Sequence, residues 1–172
     1  LHSGMYGGAV ANPINELARL LATVHDEQGR IAFPGFYDTV ATVPGEVRTQ
    51  WRELGFDEDG FLSAIGLDRG RGEDGFSTLE RTWCRPTCDV NGVFGGYTGK
   101  GAKTVIASHA TAKLSCRLVA DQDPETVLEG IKEHFRSRLH PECRIEFECH
   151  GCNPAISVPT DSRWLTAARG AL

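Results

Sequence analysis

Apolar residues at Ile14, Leu17, Leu21 and Val24 recur at steps of three and four, the spacing that puts side chains on one face of a helix. Asn12-Pro13 stands at its start, a capping side chain followed by a proline suited to the first turn, and Gly29 is the predicted stop. Over residues 30–85 the pattern weakens into a Gly- and Pro-containing stretch. Two short helices are predicted there, at residues 44–54 and 57–65, and the whole stretch reads as an excursion on the surface. Regularity returns with a strand over residues 87–93 and then a run from Gly95 to Gly101 that holds four glycines in seven positions. Residues 111–119 alternate, with Ala112, Leu114, Cys116 and Leu118 on one face and Lys113, Ser115 and Arg117 on the other, the signature of a half-buried strand.

Asp123-Pro124 caps a second long helix whose apolar positions are Val127, Ile131, Phe135 and Leu139. Residues 144–150 alternate again and predict a strand with Ile145, Phe147 and Cys149 inward. Asp161-Ser162 opens a third helix that reaches the end of the chain. The order is α, β, β, α, β and a terminal helix. With one strand ahead of Leu1 it becomes an α+β, ferredoxin-like two-layer sandwich, an antiparallel sheet with two helices on one face. Residues 1–153 form the predicted domain, and residues 154–172 a connection and truncated helix. A chain that starts at Leu1 and stops inside a helix is expected to be part of something longer.

Composition narrows the function. The 172 residues carry 18 Lys+Arg against 23 Asp+Glu, a net charge of −5. A mildly acidic chain without a basic stripe predicts neither nucleic acid nor an anionic membrane as partner. No apolar run approaches the roughly 18 residues of a bilayer span. The length suffices for one core without staples. The six cysteines read as reduced thiols of a cytoplasmic protein. Cys149-His150-Gly151-Cys152 has the spacing of a zinc or redox pair, for which Cys84 and Cys88 are a conceivable but off-pattern second pair. Core packing of Cys116 and Cys149 on strands is the simpler expectation.

The glycine-rich run does not make a phosphate loop. Aligning Lys103-Thr104 with that motif places Ala102 and Tyr97 where its glycines belong, and a strand follows instead of a helix. It reads either as a hairpin loop or as a loop whose glycines let backbone approach a ligand. His2, on a loop beside Gly7-Gly8, is uninformative alone. Arg117, mid-strand on the polar face, suits a bidentate contact to a carboxylate and equally a surface ion pair. His-x-Asp, Glu-Glu, His-Glu-x-x-His and Gly-x-Ser-x-Gly are all absent. The sequence therefore supplies no local motif for a hydrolytic metal site or a serine nucleophile.

Several blocks in register carry more weight than any of these: Leu1-His2-Ser3-Gly4-Met5-Tyr6-Gly7-Gly8, Pro34-Gly35-Phe36-Tyr37-Asp38, Val90-Asn91-Gly92 with Gly95-Gly96-Tyr97, Gly101-Ala102-Lys103-Thr104-Val105-Ile106, and Arg117-Leu118-Val119 with Asp123-Pro124. Over nearly the whole chain they resemble the lid and dimerisation domain of the zinc metallopeptidase family that includes carnosine dipeptidase, aminoacylase and succinyl-diaminopimelate desuccinylase, especially its dipeptidase branch. The resemblance implies a parent with a separate two-zinc catalytic domain, homodimerisation through the lid, and a dipeptide or N-acyl amino acid substrate. It implies that His2 stabilises the oxyanion in the partner subunit's site, that Thr104 and Arg117 help bind the substrate's terminal carboxylate, and that the glycine-rich hairpin is a mobile arm. No metal ligand is expected on this chain, and the chain alone is expected to be inactive.

Two departures stand out. Ala107 follows Val105-Ile106 where relatives often carry proline, a change of local stiffness. The family's lid also has a central strand just before the Leu-His-Ser-Gly block, so strand edges beside that position are expected to be unpaired. The rival expectation is a free-standing ferredoxin-like oligomerisation or binding module without catalysis.

Overall fold

The computed structural model of the chain describes residues 1–159 and 161–171. Its elements in chain order are α1 (Ser3–Tyr6), α2 (Pro13–Leu21), α3 (Gly45–Glu53), α4 (Glu58–Ser63), α5 (Thr78–Trp83), β1 (Thr87–Gly95), β2 (Ala110–Arg117), α6 (Pro124–Arg136) and α7 (Arg163–Ala171). The architecture is mixed α and β around an antiparallel pair. β1 and β2 pair from Thr87↔Arg117 to Gly95↔Ala110, with a bulge between Val90 and Gly92 that accommodates Asn91.

The caps read from the sequence form. Asn12 Oδ1 accepts from Ile14 N at 3.0 Å, and Asp123 Oδ2 accepts from Thr126 N at 2.8 Å, each ahead of a proline at the start of its helix. These bonds satisfy N–H groups that the helix itself leaves open, each cap being worth about 1 kcal/mol. α2 ends earlier than its periodicity predicts. Val24 leaves the helix and enters a turn in which Ala32 N donates to Val24 O at 2.9 Å, yet its side chain stays in the core.

That core lies on one face of the hairpin, under α2 and α6. Leu20 and Val24 meet Val127 and Phe135 of α6 and Cys88 of β1, with Leu114, Cys116, Ile131 and Leu139 packed around them. The beginning of the 30–85 excursion is not on the surface. Ile31, Phe33 and Phe36 are buried in this same core, and Phe33 meets Phe36 and Phe135 edge-on with ring centroids 5.9 Å apart in both pairs. Such contacts add about 0.5–1.5 kcal/mol each to the burial itself. Gly130 lets α6 come this close, because a Cβ there would sit 2.5 Å from Pro34 O. His134, fully buried, completes the wall: its Nδ1–H donates to Ala32 O at 3.1 Å, and its Nε2 stands 2.8 Å from Thr23 Oγ1, a hydroxyl shared with Leu20 O at 2.7 Å.

The rest of the excursion is pinned by charge. Glu73, only 6% exposed, receives Arg85 Nε at 2.7 Å and Nη2 at 2.8 Å, with Arg30 Nη1 at 3.3 Å. The Arg85 guanidinium also lies over Phe76 at 4.3 Å and Tyr37 at 5.1 Å, joining the excursion to the core through one side chain. α5 was not predicted. Ser77 and Glu80 build a capping box at its start, Ser77 N donating to Glu80 Oε2 at 2.8 Å and Glu80 N to Ser77 Oγ at 3.3 Å.

Residues 144–150 do not form the predicted strand. Ile145 and Phe147 pack on the core as expected, but this backbone pairs with no strand among the described residues, and Cys149 is exposed where an inward position was expected. The β2 edge that faces away from β1 is likewise without a paired strand among the described residues. α7 forms beyond Ser162, whose Oγ accepts from Leu165 N at 3.3 Å; none of its described residues is buried, and Trp164 is 70% exposed.

Candidate functional site

Three backbone hydrogen bonds tie the first residues of the chain to the segment before β2. Leu1 N donates to Ile106 O at 3.0 Å, Ile106 N to Leu1 O at 2.8 Å, and Ser3 N to Thr104 O at 3.2 Å, so that His2 bridges to Val105 in antiparallel fashion. This short rung carries His2 and Thr104, 102 positions apart in the sequence, to the same place. His2 Nε2 and Thr104 Oγ1 are 3.1 Å apart.

The local turn decides the chemistry of the imidazole. His2 caps α1 with its side chain, and Nδ1 accepts from Gly4 N at 3.0 Å. A nitrogen that accepts an N–H has its lone pair there, so the proton of the neutral ring sits on Nε2. Nε2–H is therefore the donor toward Thr104 Oγ1, whose own hydroxyl hydrogen remains available to another acceptor. His2 and Thr104 are both exposed, so this hydrogen-bonded pair faces solvent, with the Thr104 hydroxyl hydrogen free to donate onward. The part played by Gly4 is not visible in residue spacing alone. Its signal is the His-x-Gly step at a helix start, where a side chain at Gly4 would collide with the capping ring: a Cβ there lies 2.9 Å from His2 Cε1.

Arg117 is not brought to this pair. It is exposed at the last position of β2, opposite Thr87, whereas Thr104 lies ahead of Ala110 at the other end of the strand. The first helices also belong to the Ala110 end: a Cβ on Gly96, which follows β1, would lie 2.7 Å from Ile14 Cδ1. The seven steps from Ala110 to Arg117 span about 23 Å. The glycine-rich connection, residues 96–109, lies at the Thr104 end of the hairpin. Tyr97 curls its tip, with the phenol O–H donating to Lys100 O at 3.1 Å and the Lys103 ammonium 5.2 Å from the ring centroid.

Cysteines do not assemble a metal site. Cys88 is buried opposite Cys116 across the ladder, Cys84 is half-buried near Glu80, and Cys149 and Cys152 lie together, exposed, in the loop after Phe147. Among the described residues no group of three or more His, Cys, Asp or Glu side chains could hold a metal ion. Among them, too, no helix is long and apolar enough to cross a membrane.

A helix-backed antiparallel hairpin that presents a tautomer-fixed histidine at one end defines a small α+β domain with hydrogen-bond donors at that end. The sequence profile described as "Peptidase dimerisation domain" matches residues 1–143, and the chain belongs to that family. It is 34% identical over 134 residues to the Cys-Gly metallodipeptidase of Schizosaccharomyces pombe, a match over 78% of this chain and 28% of the relative. It is 29% identical over 136 residues to the Beta-Ala-His dipeptidase of Rattus norvegicus, covering 79% of this chain and 28% of that one. An M20 family metallo-carboxypeptidase from Sulfolobus solfataricus superimposes with a TM-score of 0.82 at 33% identity, over 97% of this chain and 37% of that chain. The chain thus spans about a third of the length of the relatives it matches. They place it with the dipeptidase branch of the M20 peptidases.

Proposed function

We propose that this chain is the lid and dimerisation domain of a zinc-dependent, dipeptidase-like hydrolase of the cytoplasm, and that His2 donates a hydrogen bond to the oxyanion formed in the partner subunit's active site. The observation that carries this reading is the fixed tautomer of His2, with Nδ1 occupied by Gly4 N and Nε2–H resting on the exposed Thr104 hydroxyl, an acceptor that an oxyanion can replace. A neutral N–H donor whose tautomer is set before reaction suits a developing oxyanion, because as charge appears the ring only has to exchange a neutral hydroxyl acceptor for a charged one. Thr104 supplies a second hydroxyl donor within reach of the same ligand. Arg117 supplies a guanidinium whose planar fork suits the terminal carboxylate of a dipeptide or N-acyl amino acid. With about 23 Å of strand between them, the two ends of one hairpin do not meet one small substrate. This reading therefore requires a homodimer in which two copies of the domain bring opposite ends together.

The names of the dipeptidase relatives imply a metal. The residues described here do not fit one, so no step on this chain runs through it. In this reading the metal and the general base belong to a catalytic domain outside these residues, and the isolated chain hydrolyses no dipeptide even with zinc or manganese added. The test is His2→Ala in the intact enzyme. Turnover is expected to fall about 10²–10³-fold with KM little changed, the pattern of a contact made in the transition state. Turnover at the wild-type level, or hydrolysis by the isolated chain, would remove His2 or the domain assignment from the mechanism.

A further inference from the structure

We propose that Cys149 and Cys152 form a reversible thiol–disulfide site on the exposed loop after Phe147, with a low-molecular-weight disulfide as oxidant. The two sulfurs are 2.7 Å apart, within about 0.7 Å of a covalent S–S bond. Both residues are exposed, and no helix or strand holds the backbone from Cys149 to Cys152, so the loop can close the remaining distance. The other cysteines lack one or both properties. Cys88 faces Cys116 across the ladder but is buried, and Cys84 and Cys143 are half-buried. A metal is the less suited occupant, since among the described residues no third ligand joins the pair to complete a site.

The two thiols are not equivalent. The hydrogen bond it shares with Cys149 holds the Cys152 thiol above its ordinary value, so Cys152 is the one that keeps its proton while Cys149 attacks. The Cys149 thiolate, its proton given to solvent, attacks one sulfur of the small disulfide. That S–S bond breaks, and one small thiolate leaves and takes up a proton. Cys152 then loses its proton and attacks the Cys149 sulfur of the mixed disulfide, expelling the second small thiol. Two cysteine thiols are oxidised to one disulfide, and one small disulfide is reduced to two thiols. The ring so closed stiffens the path between Phe147, on the core, and α7.

Tryptic cleavage after Arg144 and Arg163 gives a peptide, residues 145–163, in which Cys149 and Cys152 are the two cysteines. The chain is equilibrated with graded ratios of glutathione and its disulfide, quenched with acid, labelled with N-ethylmaleimide and digested. The expected result is a peptide that passes from two labels to none with the loss of two hydrogens, and that regains both labels after dithiothreitol. Cys152→Ser is expected to stop at a glutathione mixed disulfide on Cys149. The proposal is overturned if both thiols remain labelled under conditions that modify another cysteine of the chain, or if Cys149 pairs with a cysteine other than Cys152.

Discussion

Replacing Gly4 with alanine isolates the contact that sets the His2 tautomer. Gly4 is not among the positive-φ residues, so alanine is compatible with its backbone and the perturbation is the added methyl. That Cβ would lie 2.9 Å from His2 Cε1 and 3.2 Å from Nδ1, too near for the ring to stay where it is. As the ring swings out, its hydrogen bonds to Gly4 N and Thr104 Oγ1 lengthen together. Two neutral bonds at about 0.5–1.5 kcal/mol each set the loss at roughly 1–3 kcal/mol. Alanine in place of glycine in a helix offsets about 1 kcal/mol of that. Global stability therefore changes little, and orientation carries the effect. Long-range ¹H–¹⁵N correlation spectra of the labelled chain at about pH 8, above the ordinary histidine range, distinguish the protonated ring nitrogen from the bare one. Wild type is expected to show the proton on Nε2 alone. Gly4→Ala is expected to show a mixture, because Nδ1 has lost its donor, whereas Thr104→Val, which removes only the acceptor, keeps the wild-type tautomer. A wild-type proton on Nδ1, or ring shifts unmoved by Gly4→Ala, would show that the Gly4 N–H does not set the tautomer.

Glu73→Ala leaves the Arg85 guanidinium, 9% exposed between Phe76 and Tyr37, without its carboxylate. It should cost about 3–5 kcal/mol in urea unfolding, and a loss below about 1 kcal/mol would show that the pair is incidental. The His134 ring is held below its ordinary pKa, by burial first and by the Arg138 charge second, so folding selects the neutral form. Its contribution is complete above the unfolded value of about 6.5 and lost as pH falls through the lower folded value. The urea midpoint of wild type is expected to drop between about pH 7.5 and 5.5 more steeply than that of His134→Gln, and parallel slopes would exclude this histidine.

The helices that define the fold were legible where a cap and a period coincide. Asn12-Pro13 and Asp123-Pro124 precede apolar stripes long enough to fix a face, and both helices form there. α5 has no apolar stripe to read, and its signal is the capping-box spacing of Ser77 and Glu80 alone. Ile31, Phe33 and Phe36 were misplaced for a different reason. They lie among Gly29, Pro34 and Gly35, where side-chain direction follows no regular repeat, and their burial depends on α6 arriving from nearly a hundred residues later. The site divides in the same way. Spacing left His2 and Arg117 undecided, and the resemblance supplied their expected roles. The Gly4 N–H that orients the ring belongs to the local His-x-Gly cap, whereas the His2–Thr104 contact is a product of a rung between residues 1–3 and 104–106, which no local pattern encodes.

Residues 144–150 show why a strand pattern can be correct about packing and silent about pairing. Alternation reports which side chains face the core, and Ile145 and Phe147 are there. A strand further requires a neighbour whose N–H and C=O groups meet its own, and that requirement is written in another part of the polypeptide. The backbone of this segment and the free edge of β2 both lack such a neighbour among the described residues, although each borders the same apolar layer. The packing of Ile145 and Phe147 on the core, with the Arg136 guanidinium 5.4 Å from the Phe147 ring centroid, holds the segment in place without a ladder. Its exposed end, where Cys149 follows Phe147, is free of the ladder that would keep it from approaching Cys152. The unpaired segment and the close sulfurs are thus two consequences of one arrangement.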